Sequence, residues 1–252
     1  MELWTREHKI TLLPALAVML IIGLLMRWWL GKREYRVRLI PVQILSCMLL
    51  ALEVGKQALS FARGYDLYHI PLHFCSLYLF ALPVMSFYRG KHKNAVAAIC
   101  AAITFSLFFL MLVYPALIYG SWDITGYFDN YFAFHTVTFH NIVMLIFVLI
   151  VALDLYVPQK GEWKACMWFT VAFCVVSSTM AQLLKTNFAN YYQCNIPPLE
   201  AVRVNLQSVL GYGVTQVIYV LIVSALNIAF VQMCYWLYRL MRKFTALPKN
   251  AK

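Results

Sequence analysis

Charge is what this chain has least of. Only 12% of its 252 residues are Asp, Glu, Lys or Arg, and 63% are hydrophobic. A water-soluble chain is about one-quarter charged, so that class is excluded. The seven cysteines (Cys47, Cys75, Cys100, Cys166, Cys174, Cys194 and Cys234) include no CxxC pair, which argues against a disulfide framework or a zinc knuckle. The stretch 212–238 has no Lys, which excludes a retinal Schiff base there. No His follows His140, so the His-x-x-x-His pair that seven-span zinc hydrolases carry in their last span is missing. His69 and His73 have that spacing, but Pro71 between them puts His69 outside a helix. There is no G-x-S-x-G elbow and no phosphate loop. Neither a repeat nor a soluble domain is visible, and the paired broken segments of an inverted-repeat transporter are not evident. No metal and no cofactor are expected.

Long apolar runs are what remains. Seven of them, near 10–30, 39–61, 70–88, 95–119, 134–157, 165–186 and 212–238, are long enough to cross a bilayer core of about 30 Å. With no water to satisfy the backbone, such spans must be helices. The expected fold is all-α, a single seven-helix transmembrane domain over residues 1–252, multi-pass in the cell membrane. Basic residues set its orientation. Lys32, Arg33, Arg36, Arg38, Arg89, Lys91, Lys93, Lys160, Lys164, Arg239, Arg242, Lys243, Lys249 and Lys252 fall on one side. Arg6, Lys9, Arg63, Lys185 and Arg203 fall on the other. Fourteen against five predicts the N-terminus outside and the C-terminus inside. The net charge of +11 is then topological and meets anionic lipid, with no nucleic acid partner. A homo-oligomer or a membrane partner stays open. The first run is read as a signal anchor, since Arg27, Trp28 and Trp29 follow it rather than a cleavage site. Two longer outer loops are expected at 120–133 and 187–211.

Polar residues inside an apolar span cost about 2.5–3.5 kcal/mol each when charged, so each one is informative. Glu53, Lys56, Gln57 and Ser60 lie in the outer half of the second run. Spacings of three and four put Glu53, Lys56 and Gln57 on one helix face. The third run opens His69-Ile-Pro-Leu-His73-Phe-Cys75-Ser76, which predicts Pro71 in the first helical turn and His73 just inside the helix. The fifth run opens with His135 at the interface and His140 five residues deeper, on another face. Asn187, Asn190 and Tyr191 lie on the loop that closes this half. Convergent titratable groups at one depth make a candidate site. The inner half offers only Asp154, read as interfacial.

The ordered set of motifs is similar to that of the YwaF-like bacterial integral membrane proteins. It comprises Ile-Pro-Leu-His73-Phe-Cys75-Ser, Tyr114-Pro115, His140, Asn190-Tyr191, Pro197-Pro198 and Leu-Gly-Tyr212, over roughly residues 40–240. That group is similar in turn to an animal membrane protein group containing a cysteine-type phospholipid acyltransferase, and more distantly to intramembrane hydrolases of fatty-acid esters. The resemblance implies an acyl-group site at His73 and His140. In the animal acyltransferase the nucleophilic Cys directly precedes the His of this motif, where Leu72 stands here. Cys75, two residues after His73, would lie about 200° around a helix from it.

The expected function is a lipid acyltransferase or esterase with its pocket toward the outer leaflet. His73 or His140 is general base, Glu53 orients a His, and Lys56 with Gln57 binds substrate. Asn190 and Tyr191 donate to developing negative charge. Cys75 is the only nearby thiol, with Ser60, Ser76 and Thr138 as hydroxyl alternatives. Its place at a helix N-terminus weighs for Cys75, but the helix-face argument weighs more, so the expectation is against Cys75 as the nucleophile. The alternative is non-enzymatic: transport or binding of a small solute or lipid headgroup, or an accessory subunit of a membrane complex.

Overall fold

The computed structural model describes residues 4–115, 127, 128 and 130–245. Among the described residues there are eight α-helices: α1 (Arg6–Leu30), α2 (Tyr35–Ala62), α3 (Leu77–Phe87), α4 (Lys93–Val113), α5 (Tyr131–Ala152), α6 (Trp163–Leu184), α7 (Pro197–Leu210) and α8 (Tyr212–Thr245). No strand occurs among the described residues. Six of these helices are long and apolar enough to cross a membrane: α1, α2, α4, α5, α6 and α8. The expected outer loop at 120–133 lies mostly outside the described residues.

Three expected boundaries move, each for a local reason. The third run is not one helix over 70–88. Two 3-10 turns, Leu67–His69 and Phe74–Ser76, precede an α3 of 11 residues. Pro71 forces the residue before it out of helical space, and Ile70 sits at φ −58°, ψ 131°. Pro71 therefore lies in a bend rather than in a helical turn, and His73 is extended at φ −77°, ψ 160° rather than helical. The fourth run stops at Val113, not 119, because Tyr114 precedes Pro115 and leaves the helix at φ −148°, ψ 73°. The segment 187–211, expected as a loop, holds α7, which begins on Pro197 and Pro198, where a missing N–H costs nothing.

Side-chain bonds fix the helix directions. Tyr131 on α5 donates to Leu52 O and Arg38 on α2 donates to Leu153 O, so α2 and α5 run antiparallel. Gln43 to Ser86 O with Gln57 to His69 O does the same for α2 and the segment carrying α3, and Tyr78 to Ile103 O with Cys100 Sγ to Ala81 O for α3–α4. Gln216 to Tyr191 O and Gln232 to Trp163 O set α8 against α6. One end of the bundle thus collects the end of α2, the start of α3, the start of α5, the end of α6 and the start of α8. The core lies between α4 and α5, where Ile103, Leu107, Met144 and Ile146 are fully or almost fully buried. The outer faces are apolar and exposed, for example Leu24, Val54 and Leu221. That arrangement fits lipid around the bundle.

The opposite end corrects the reading of Asp154. Its side chain is 9% exposed and pairs with Arg242, which is 2% exposed. Arg242 is therefore not a free headgroup charge. It also donates to Val151 O, while Arg38 donates to Leu153 O. Two guanidinium groups thus meet the last carbonyls of α5, where the helix dipole is negative.

Candidate functional site

The polar side chains at the first end form two groups. The first is centred on Glu53, a buried carboxylate of α2. Lys56 reaches it at 2.7 Å, Gln57 Nε2 donates at 2.6 Å and His135 Nε2 lies at 3.1 Å. Oε1 faces Lys56 and Gln57 and Oε2 faces His135, so both oxygens of the buried charge have partners. Gln57 Nε2 also donates to His69 O at 2.7 Å, and Tyr65 donates to Gln57 Oε1. Ser60 Oγ meets His69 Nδ1 at 2.6 Å, with the His69 ring stacked on Phe132. Gly55 lets Tyr131 approach: an added methyl would overlap the Tyr131 hydroxyl.

The second group depends on the irregular segment between α2 and α3. Non-helical backbone at membrane depth survives only where its polar groups find partners in the protein. Here side chains supply them. Gln57 satisfies His69 O, His73 Nε2 donates to Tyr68 O at 2.9 Å, and Ser177 on α6 donates to Leu72 O at 2.7 Å. The segment so held brings Cys75 to His140, with Sγ 3.1 Å from Nε2. His140 Nδ1 lies 2.6 Å from Thr136 O. A carbonyl only accepts, so Nδ1 carries the proton and Nε2 keeps the lone pair that faces the thiol. His140 is nine residues into α5, roughly 14 Å along the axis at about 1.5 Å per residue. The pair therefore lies well inside the bundle, with His140 6% exposed and Cys75 half-buried.

The residues singled out from the sequence separate accordingly. Glu53, Lys56 and Gln57 come together, and Cys75 joins His140. Glu53 holds His135 rather than His73 or His140. His73 lies between Tyr68 and the Phe188 ring, at 4.3 and 5.6 Å between centroids, and its Nε2 is taken by Tyr68 O. Asn190 accepts at its carbonyl from Tyr219. Tyr191 is fully buried, and its hydroxyl accepts from Ser224 and Asn227 in a second apolar cluster between α6 and α8. Of the hydroxyl alternatives, Ser60 is on His69, Thr138 is on Tyr127, and Ser76 is buried. His135, expected at the interface, is 7% exposed. The clue to it was chemical: a carboxylate in an apolar span needs more than one donor, and His135 opens the helix that runs antiparallel to α2.

The alternating apolar helices and the buried polar groups at one end define a multi-pass α-helical membrane protein. Among the described residues no cluster of His, Cys, Asp and Glu is suited to a metal ion. The family model described as the TMEM164 family matches residues 3–238, and the chain belongs to that family. No curated protein and no solved structure matches it.

Proposed function

We propose that this protein transfers or hydrolyses the acyl group of a membrane lipid ester, with Cys75 as nucleophile and His140 as base. The observation that carries the reading is the pair itself: a half-buried thiol 3.1 Å from an imidazole nitrogen whose lone pair is fixed by the Thr136 carbonyl. Nucleophile, base and orienting group then stand in the order that thiol catalysis needs. The Cys75 proton passes to His140 Nε2 as sulfur attacks the ester carbonyl carbon. The ester C–O bond breaks, and the leaving alcohol takes the proton from Nε2. The acyl group remains as a thioester on Cys75. A second alcohol, or water, gives its proton to Nε2 and attacks the thioester, which regenerates the thiol. Lys56 and Gln57 meet the polar end of the substrate, and Glu53 with His135 holds Lys56 in position. His73 braces the segment that carries Cys75.

The reading includes a topology. Seven passes follow from the alternating helix directions if α3 and its preceding turns complete one crossing. The basic residues favour N-terminus out and C-terminus in, with thirteen of the fourteen inner charges remaining once Arg242 is set aside as a buried partner of Asp154. The site then opens toward the outer leaflet of the cell membrane. The motif order around His73, Cys75, His140 and Tyr212 supports the likeness to the YwaF-like bacterial proteins.

The test is lipid turnover in nanodiscs with an acyl-labelled phospholipid. Loss of a general base costs roughly 10²–10⁴ in rate, and His140→Ala falls by that much while Cys75→Ser loses turnover altogether. Turnover that persists in Cys75→Ser overturns the reading. No turnover in the unaltered protein with any lipid ester favours binding or transport of a headgroup.

A further inference from the structure

Helix α7 is unusual within this fold. It is 14 residues long and has no buried residue. At 100° per residue Leu199, Val202, Leu206, Val209 and Leu210 fall within an arc of about 100°, the width of an amphipathic stripe. All five are exposed, from 43% at Leu206 to 79% at Val209. The far side carries Ala201, Val204, Asn205 and Ser208, also exposed.

Its packed face is polar and pins it to the bundle. Arg203 Nη2 and Nε donate to the two oxygens of Glu200 at 2.6 and 2.8 Å, and Cys194 N donates to Glu200 as well. Arg203 Nη1 donates to Gln216 Oε1 at 3.1 Å, and its guanidinium lies over the Tyr219 ring. Gln216, 5% exposed, donates in turn to Tyr191 O and Tyr192 O. Gly211 makes the turn into α8 at φ 77°. These contacts fold α7 back beside the first two turns of α8, at the end of the bundle that holds Cys75 and His140. There Val214, Val217 and Leu221 of α8 are each more than half exposed, on a helix long and apolar enough to cross a membrane.

We infer that α7 is a lipid-boundary helix whose apolar stripe continues the lipid-facing surface of α8 and beds into the acyl chains of that leaflet. The occupant is lipid because α7 packs beside α8, a helix long and apolar enough to cross a membrane whose neighbouring side chains are apolar and exposed. It is lipid recognised by its chains, not by its headgroup charge. The helix carries no Lys, and its only Arg is neutralised by Glu200. A surface helix that binds anionic lipid carries a basic polar face, and α7 has none. The inference stands whether or not Cys75 is a nucleophile.

The experiment places an environment-sensitive fluorescent amino acid, one site at a time, at Val202, Leu206, Ala201 and Ser208 of the full chain in phosphatidylcholine nanodiscs. Nitroxide-bearing acyl chains quench the probe at 202 and 206 several-fold more than at 201 and 208, and aqueous iodide shows the reverse order. Neither pattern changes when a third of the lipid is made anionic or the salt is raised tenfold. Iodide quenching that is equal at all four sites overturns the inference. So does protection of 202 and 206 from both quenchers, which would place another protein surface on the stripe. A dependence on anionic lipid would contradict recognition by chains alone. All four positions are exposed, so the substitutions leave the packed face intact.

Discussion

Replacing Glu53 by Gln tests the buried ion pair and the role of His135 together. The Glu53 and Lys56 side chains are 11% and 16% exposed. Breaking a buried pair by removing one partner costs about 3–5 kcal/mol, because the other charge is left behind. Partial exposure and the flexible Lys stem put Glu53→Gln near the low end, at about 3 kcal/mol. Lys56→Met has a milder effect, about 1–2 kcal/mol, because the carboxylate keeps Gln57 at 2.6 Å and His135 at 3.1 Å. In Glu53→Gln with Lys56→Met no charge is stranded, so the pair of changes costs about 2 kcal/mol less than the sum of the singles. The assay is a double-mutant cycle by SDS titration in mixed micelles. Adding His135→Phe to Lys56→Met should bring the cost back up to that of Glu53→Gln. Additivity of Glu53→Gln and Lys56→Met within about 0.3 kcal/mol would refute the reasoning.

Three further outcomes follow from particular contacts. Gly55→Ala overlaps the Tyr131 hydroxyl and breaks its bond to Leu52 O, for a loss of about 1–3 kcal/mol; Tyr131→Phe in the same chain recovers part of it, and a Gly55→Ala protein as stable as the parent would contradict the close approach. The Arg203 guanidinium beside Glu200 holds that carboxyl below its usual range. A lowered folded value makes the α7 tether fully present above pH 4.5 and lost only as pH falls through that lower value. Fluorescence of a probe at Leu206 therefore stays constant from pH 8 to about 5, and a midpoint inside that range would show that another group governs the tether. A cysteine placed at Lys249 stays unlabelled by an impermeant maleimide added outside intact cells, and ready labelling there would reverse the topology.

The bundle was legible because long apolar runs with few charges permit little else in a bilayer. The third run misled because helical periodicity was carried through Pro71. Once Ile70 and His73 are extended, Cys75 is no longer 200° from His73 on a helix, and the 3-10 turn aims it at α5 instead. Helix α7 was within reach: Pro197-Pro198 at its start and the spacing of Leu199, Val202, Leu206 and Val209 are helix signals. Its apolar content is too low to resemble a span, which hides it among the loop residues. Glu53 and Lys56 could be paired by spacing alone. His135 could not, since only the antiparallel packing of α5 on α2 brings it to the carboxylate. The role expected for Asn190 and Tyr191 rests on sequence order alone; in the fold the Tyr191 hydroxyl accepts from Ser224 and Asn227.

The most direct measurement is the mass of the protein after exposure to a short-chain activated acyl ester. The account predicts one acyl adduct, released by neutral hydroxylamine as a thioester should be and mapped by peptide analysis to Cys75. It forms at least a hundred-fold more slowly in His140→Ala, within the range for loss of a general base, and is unchanged in Cys47→Ser and Cys194→Ser. An adduct that maps to another residue, or one on Cys75 that forms equally fast without His140, would contradict it.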